Sequence, residues 1–204
     1  MSKPLQINHE TIMKRILFTS LCIFLFALSL NAQKEQTVFG QSGLRLTGTW
    51  GGFAIGNSFY GESYSFQRGG FFGFEFNNLI FLGWGWYRVE DTVHFRDLPS
   101  QNFKMNYNGF ILNITPLSKK IVHPKFSLLT GRGHVTIQSE GEDRVFILQP
   151  SAGFEVNVFR WSHVTFEGGY RFAANNHYIS LSDADLSPWF LQTTFSFGFS
   201  WGSW

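Results

Sequence analysis

From position 192 to 201 apolar and polar side chains alternate without a break. Thr193, Phe195, Phe197, Phe199 and Trp201 share one parity; Gln192, Thr194, Ser196, Gly198 and Ser200 share the other. Successive strand side chains point to opposite faces, so this segment predicts a strand with one apolar and one polar face. Residues 163–172 repeat the pattern, with Val164, Phe166, Gly168, Tyr170 and Phe172 against His163, Thr165, Glu167, Gly169 and Arg171. In 146–157, Phe146, Leu148, Pro150, Ala152, Phe154 and Val156 oppose Gln149, Ser151, Gly153, Glu155 and Asn157. Residues 126–138 set Leu129, Gly131, Gly133, Val135 and Ile137 against Thr130, Arg132, His134, Thr136 and Gln138.

The N-terminal half is less regular. Leu44, Leu46, Gly48 and Trp50 oppose Arg45, Thr47 and Thr49; Phe72, Phe74 and Phe76 oppose Gly73 and Glu75. Ile80, Leu82, Trp84 and Trp86 oppose Gly83, Gly85 and Tyr87, while 103–114 is mixed. That makes eight strands, several near the 9–11 residues that a tilted strand needs to cross a bilayer. Asn77-Asn78 is a two-residue hairpin signal, because Asn tolerates positive φ. The connection at 159–161 is also short, whereas 57–68, 90–102, 139–143 and 173–187 are longer and polar or Gly-rich. Short turns at one end and long loops at the other are a membrane-barrel trait. The expected fold is all-β: a closed up-and-down antiparallel transmembrane barrel of eight strands.

The N-terminus supplies the route to a membrane. Lys14-Arg15 precede an apolar run over 16–30, and Asn31-Ala32 follow it, the layout of a cleaved secretory signal peptide. The expected division is a signal peptide over 1–32, with Met13 a candidate start of translation, and a barrel domain over 33–204. Cys22 is the only cysteine and lies in the signal, so the mature chain has no thiol chemistry. Cleavage removes three of 16 basic and one of 14 acidic residues and leaves thirteen of each. A balanced charge offers nucleic acid no basic stripe. With 25 Phe, 7 Trp, 6 Tyr and 21 Gly, the composition favours strands over helices.

If the aromatic parity faces lipid, the lumen receives Arg45, Glu75, Arg132, His134, Glu155, Glu167 and Arg171. An eight-stranded barrel is only wide enough for side chains to fill, and buried charges require partners. The expectation is a charge-paired plug in which Arg132 and Arg171 each meet a glutamate. Trp86 and Trp189 near the outer ends, with Trp161 and Trp201 near the inner ends, would form two aromatic girdles. Trp50 and Trp84 lie deeper.

Catalytic readings are weak. Ser162 and His163 are adjacent on a strand and point apart, away from a triad with Glu167. His177 and Ser180 resemble the His-x-Ser pair of the outer-membrane lipid A deacylases, but the spacing differs and the pair falls in a loop. Glu140, Glu142 and Asp143 lack the spacing of a Ca²⁺ loop, and the six histidines show no metal-ligand spacing. No catalytic residue, metal or cofactor is assigned, and the chain is read as a non-enzyme.

The signal end Leu30-Asn31-Ala32-Gln33, the stretch 149–157 with Gly168-Gly169-Tyr170-Arg171-Phe172, and the close from Leu181 onward together resemble the OmpA/OmpX type of small outer-membrane β-barrels. They resemble especially a subgroup of uncharacterised outer-membrane barrel proteins. The resemblance implies an outer-membrane location in a Gram-negative envelope, outer-membrane lipid as surroundings, and insertion by the barrel assembly machinery. Phe197, Phe199, Trp201 and Trp204 would supply the C-terminal assembly signal. It implies no family-wide activity. The role expected is structural or envelope-interacting, with external loops as contact surface for a ligand the sequence does not name. The alternatives are a lipid-modifying enzyme or narrow pore on the same barrel, and a soluble periplasmic barrel with aromatics inside and charges out.

Overall fold

The computed structural model describes residues 43–60, 63–93, 101–137, 141–175, 177 and 183–201, with backbone alone at 91–93 and 101–102. Contacts divide the chain into Met1–Leu44 and Arg45–Trp204, and the barrel is the second unit. The expected signal peptide, with Met13 and Cys22, falls outside the described residues, as do Glu140, Ser180 and Trp204.

Nine β segments form the wall: β1 Leu46–Tyr60, β2 Ser63–Phe76, β3 Ile80–Val93, β4 Gln101–Ile114, β5 Val122–Ile137, β6 Gly141–Phe159, β7 Ser162–Tyr170, β8 Phe172–Ala174 and β9 Trp189–Ser200. Neighbours in sequence pair antiparallel from β1 to β7, and β9 pairs with both β7 and β1, which closes the ring. Both β7 and β8 pair with β6, so they are one wall strand broken at Arg171. The wall therefore has the eight strands expected. Two register routes lead from Phe53 to β6. One passes Gly70, Trp86, Asn108 and Arg132 to Phe146. The other passes Phe195 and Val164 to Val156, ten residues further along. Eight strands with that offset tilt by roughly 40° and enclose a core that side chains can fill.

The turn end matches its sequence signal. Asn77 and Asn78 both take positive φ (54° and 52°), and the Leu79 amide bonds to the Phe76 carbonyl, a primed hairpin turn. The loop end does not match. Strands β1 and β2 extend to Tyr60 and from Ser63, and β5 and β6 extend to Ile137 and from Gly141. The segments 57–68 and 139–143, expected as longer loops, are mostly paired wall.

The interior has two zones, and they explain the mixed strand β4. On its turn-end half Asn113 faces in while Phe110, Leu112 and Ile114 face out. On its loop-end half Phe103, Met105 and Tyr107 face in while Asn108 is exposed outside. The pointing parity is constant; the hydrophobic phase reverses. Strand β5 does the same, from His123 and Lys125 inside to Leu129, Val135 and Ile137 inside. The loop-end interior gathers Tyr60, Val89, Phe103, Met105, Val135, Ile137, Val145, Ile147 and Leu186, none more than 3% exposed.

Around the outside runs a belt of exposed aromatic and aliphatic side chains, including Phe53, Phe72, Phe74, Leu82, Phe110, Phe126, Phe154, Phe166, Phe197 and Phe199. Large apolar groups exposed around a whole ring are unfavourable in water and favourable in hydrocarbon.

Candidate functional site

The candidate site is the lumen, and β7 carries its polar centre. His163, Thr165 and Glu167 point inward on alternate positions, and Arg171 follows where the strand breaks.

Nearest the turns, the Lys125 Nζ donates to Glu155 Oε2 at 2.6 Å and to Thr165 Oγ1 at 3.1 Å. Thr165 Oγ1 donates to the same carboxylate oxygen at 2.8 Å. His123 Nε2 and His163 Nδ1 each lie 3.3 Å from Glu155 Oε1. The Trp50 ring stacks on His163 at 4.1 Å, and its Nε1 donates to Ser200 Oγ, which donates to Glu75 Oε2. Gly198 makes room here, since a Cβ on it would come within 2.7 Å of the Trp50 ring. The ammonium and the carboxylate compensate one another inside a low-dielectric wall, which is what keeps buried charges tolerable.

Further in, Glu167 accepts from Ser151 Oγ at 2.8 Å and from Gln192 Nε2 at 2.8 Å. Gln67 Nε2 donates to Gln192 Oε1 at 2.9 Å, and Arg171 donates to Gln67 Oε1 at 2.6 Å. Arg171 also donates to Tyr107 Oη at 2.7 Å, Gln149 Oε1 at 2.9 Å, Tyr60 Oη at 3.2 Å and Ser58 Oγ at 3.3 Å. Its guanidinium lies 4.6 Å from the Tyr107 ring centre. One arginine, fully buried, thus ties β1, β2, β4 and β6 together across the barrel. The loop-end apolar zone closes over it. The polar zone contains two cavities of about 30 Å³ each, bordered by Asn113 and Lys125. That is room for a water molecule and not for a solute.

Of the expected lumen set, Glu75, Glu155, Glu167 and Arg171 face inward, and three members do not. Arg45 precedes β1 and is exposed. Arg132 is exposed and His134 half-exposed on the outer wall, because β5 has reversed its hydrophobic phase there. Arg132 accordingly meets no lumenal glutamate. Arg171 does not meet one directly either: its hydrogen bonds go to neutral groups, and Gln67 and Gln192 relay it to Glu167. The cation that does pair with a glutamate, Lys125, was missed with His123. Their alternation with Val122, Pro124 and Phe126 is the available signal, but it lies N-terminal to the strand that the alternation over 126–138 predicts. Trp50 is a second correction. A bulge between Leu46 and Gly48 shifts the β1 register, so Trp50 lies in the lumen, 6% exposed, rather than with Leu46 outside.

The girdle tryptophans Trp86, Trp161, Trp189 and Trp201 are all exposed on the outside. Trp161 stacks on Phe159 at the β6–β7 turn, and Trp189 meets Tyr170 edge-on at the loop end. Phe197 and Phe199 face outward on β9, and the Trp201 Nε1 donates to the Leu46 carbonyl where the ring closes.

His163 engages Glu155 rather than Glu167 or Ser162, so the Ser162–His163–Glu167 set makes no relay. His177 is an exposed loop residue whose amide donates to Asp143. Among the described residues no group of three or more acidic, His or Cys side chains is placed to hold a metal.

No protein-family model matches the chain, and no curated protein matches it significantly. Solved structures do. Neisserial surface protein A covers 76% of this chain and 96% of its own, at 12% identity and a TM-score of 0.50. Ail, the attachment invasion locus protein of Yersinia pestis, covers 76% and 99% at 13% identity and a TM-score of 0.48. The outer membrane protein OprG from Pseudomonas aeruginosa covers 76% and 97% at 12% identity and 0.45. The chain has the fold of the small eight-stranded outer-membrane β-barrels, and its belt of exposed aromatics is the surface such a barrel turns to lipid.

Proposed function

We propose that the protein is a closed, non-conducting barrel of the outer membrane with a structural or envelope-contact role exercised at its loop end. The observation that carries this reading is the cross-section at Arg171. There a buried guanidinium bonded to four strands, with the apolar zone above it, fills the section among the described residues, which supports the closed reading. A fully bonded polar layer rigidifies a core, and a pore would need it open. On this reading residues 1–32 are a signal removed during export. Phe197, Phe199 and Trp201 engage the barrel assembly machinery, and outer-membrane lipid surrounds the belt. Among the described residues the polar lumen holds cavities of only about 30 Å³, which favours a non-enzymatic role.

Planar-bilayer recording of the reconstituted protein tests this. The wild type should show no discrete ionic steps, whereas Arg171→Ala should admit transient ones. Stable unit conductance in the wild type would overturn the closed reading.

A further inference from the structure

The outer surface is not uniform around the ring. On β1, β2, β9 and β8 exposed apolar groups run to the loop end, through Phe59, Phe66, Tyr64, Trp189 and Phe172. On β3 and β4 the apolar belt stops at Trp86 and Phe110. At the height where the other side still carries aromatics, β3 to β6 present Arg88, Lys104, Arg132, His134 and Arg144 outward, and Arg68 on β2 adjoins them beside Phe66. Register places Arg68 opposite Arg88, Arg88 opposite Asn106, Asn106 opposite His134, and His134 opposite Arg144, so these side chains form a continuous ledge. Among the described residues the acids on the same face are Glu90, which pairs with Arg88, and Glu142. Glu90 also stands opposite Lys104 in register, whereas no acidic ion pair of Arg132 or Arg144 is found among the described residues. Arg132, His134 and Arg144 flank an open depression of about 600 Å³, with Phe146 and Asn175 completing its walls.

We infer that this ledge seats the phosphorylated headgroups of outer-leaflet glycolipid, with the depression taking one phosphate between Arg132 and Arg144. This rests on the outer-membrane placement proposed above. Two observations favour a lipid headgroup over a free anion or an acidic protein. The cations lie directly above the apolar belt, where headgroups meet hydrocarbon. The belt is also short on this face, so a headgroup leaning down would satisfy Arg132 and Asn108, which acyl chains would leave unsolvated. Arginine pairs bind phosphate with two parallel hydrogen bonds, which gives a preference for phosphate over a neutral sugar.

The test uses the folded full-length barrel in nanodiscs of phosphatidylcholine containing either bisphosphorylated or dephosphorylated lipid A. Lipid retained on the barrel is counted by native mass spectrometry. Wild type should retain the bisphosphorylated form about tenfold better, a factor worth about 1.4 kcal/mol. Arg132→Gln/Arg144→Gln should lose that preference, and Arg160→Gln at the opposite, turn end should keep it. Equal retention of both lipids by the wild type, or equal loss in the two variants, would overturn the inference. Inorganic phosphate that displaced the lipid at millimolar concentration would reassign the site to a free anion. Polyglutamate held more tightly than the bisphosphorylated lipid would reassign it to a protein. Folding of each variant is read separately by heat-modifiable gel migration. Loss of selectivity in a folded barrel counts against this inference alone, whereas failure to fold into the membrane counts against the placement beneath it.

Discussion

Arg171 does at residue scale what a disulfide does in a small secreted domain: it fixes parts of the chain far apart in sequence. Tyr60, Gln67, Tyr107 and Gln149 all direct oxygens at it and would each lose a buried bond on its removal, although Gln67 keeps Ser58 and Gln149 keeps Tyr107 as donors. Arg171→Ala should cost on the order of 3–5 kcal/mol in urea unfolding from lipid vesicles. Arg171→Lys should recover only part, since an ammonium cannot span the same set of acceptors. A loss below about 1 kcal/mol would show that the network is incidental. At the Lys125–Glu155 pair, either single change, Lys125→Met or Glu155→Leu, leaves an uncompensated buried charge. The double variant should therefore be less destabilised than the sum of the two, as a double-mutant cycle would show.

Strands β4 and β5 carry the lesson at element scale. Reading them with one rule, apolar outward, gets the turn-end half right and the loop-end half inverted. Physically the wall crosses two solvents. In lipid the outside must be apolar and the inside can be polar; above lipid the outside meets water and the inside becomes a dry core. Alternation was legible in both halves, so strand number, the Asn77-Asn78 turn and the lipid-facing phenylalanines of β2, β7 and β9 could be read directly. Which parity faced in at Arg132 and His134 could not, because a period of two carries no sign. Trp50 escaped for another reason: a one-residue bulge leaves no composition signal. The lipid face has its own test. Phe166→Arg and Phe197→Arg should each cost about 2–4 kcal/mol of folding free energy in bilayers. Val135→Arg should be comparably damaging from inside the core, and His134→Arg should be nearly silent. A silent Val135→Arg would contradict the assigned phase.

The whole molecule combines two kinds of barrel on one set of strands. Its turn-end half is a membrane barrel with a polar lumen. Its loop-end half, on β3 to β5, has the inward apolar and outward polar pattern of a water-soluble barrel, the arrangement considered from the sequence as a separate alternative. Heat-modifiable migration and outer-membrane fractionation are the expected bulk behaviour; release as a soluble periplasmic protein would contradict the belt. The most direct measurement of the two-zone interior is cysteine accessibility at the loop-end half. Single cysteines at Val89, Met105, Val135 and Ile147 would sample the interior, and at Glu90, Thr136 and Glu142 the outer wall nearer the loops. Each would be exposed to a charged, water-soluble maleimide added to intact cells. The outer-wall set should label and the interior set should stay unmodified until the barrel is unfolded. Labelling of the interior set in the folded protein would show a water-filled lumen and contradict the account.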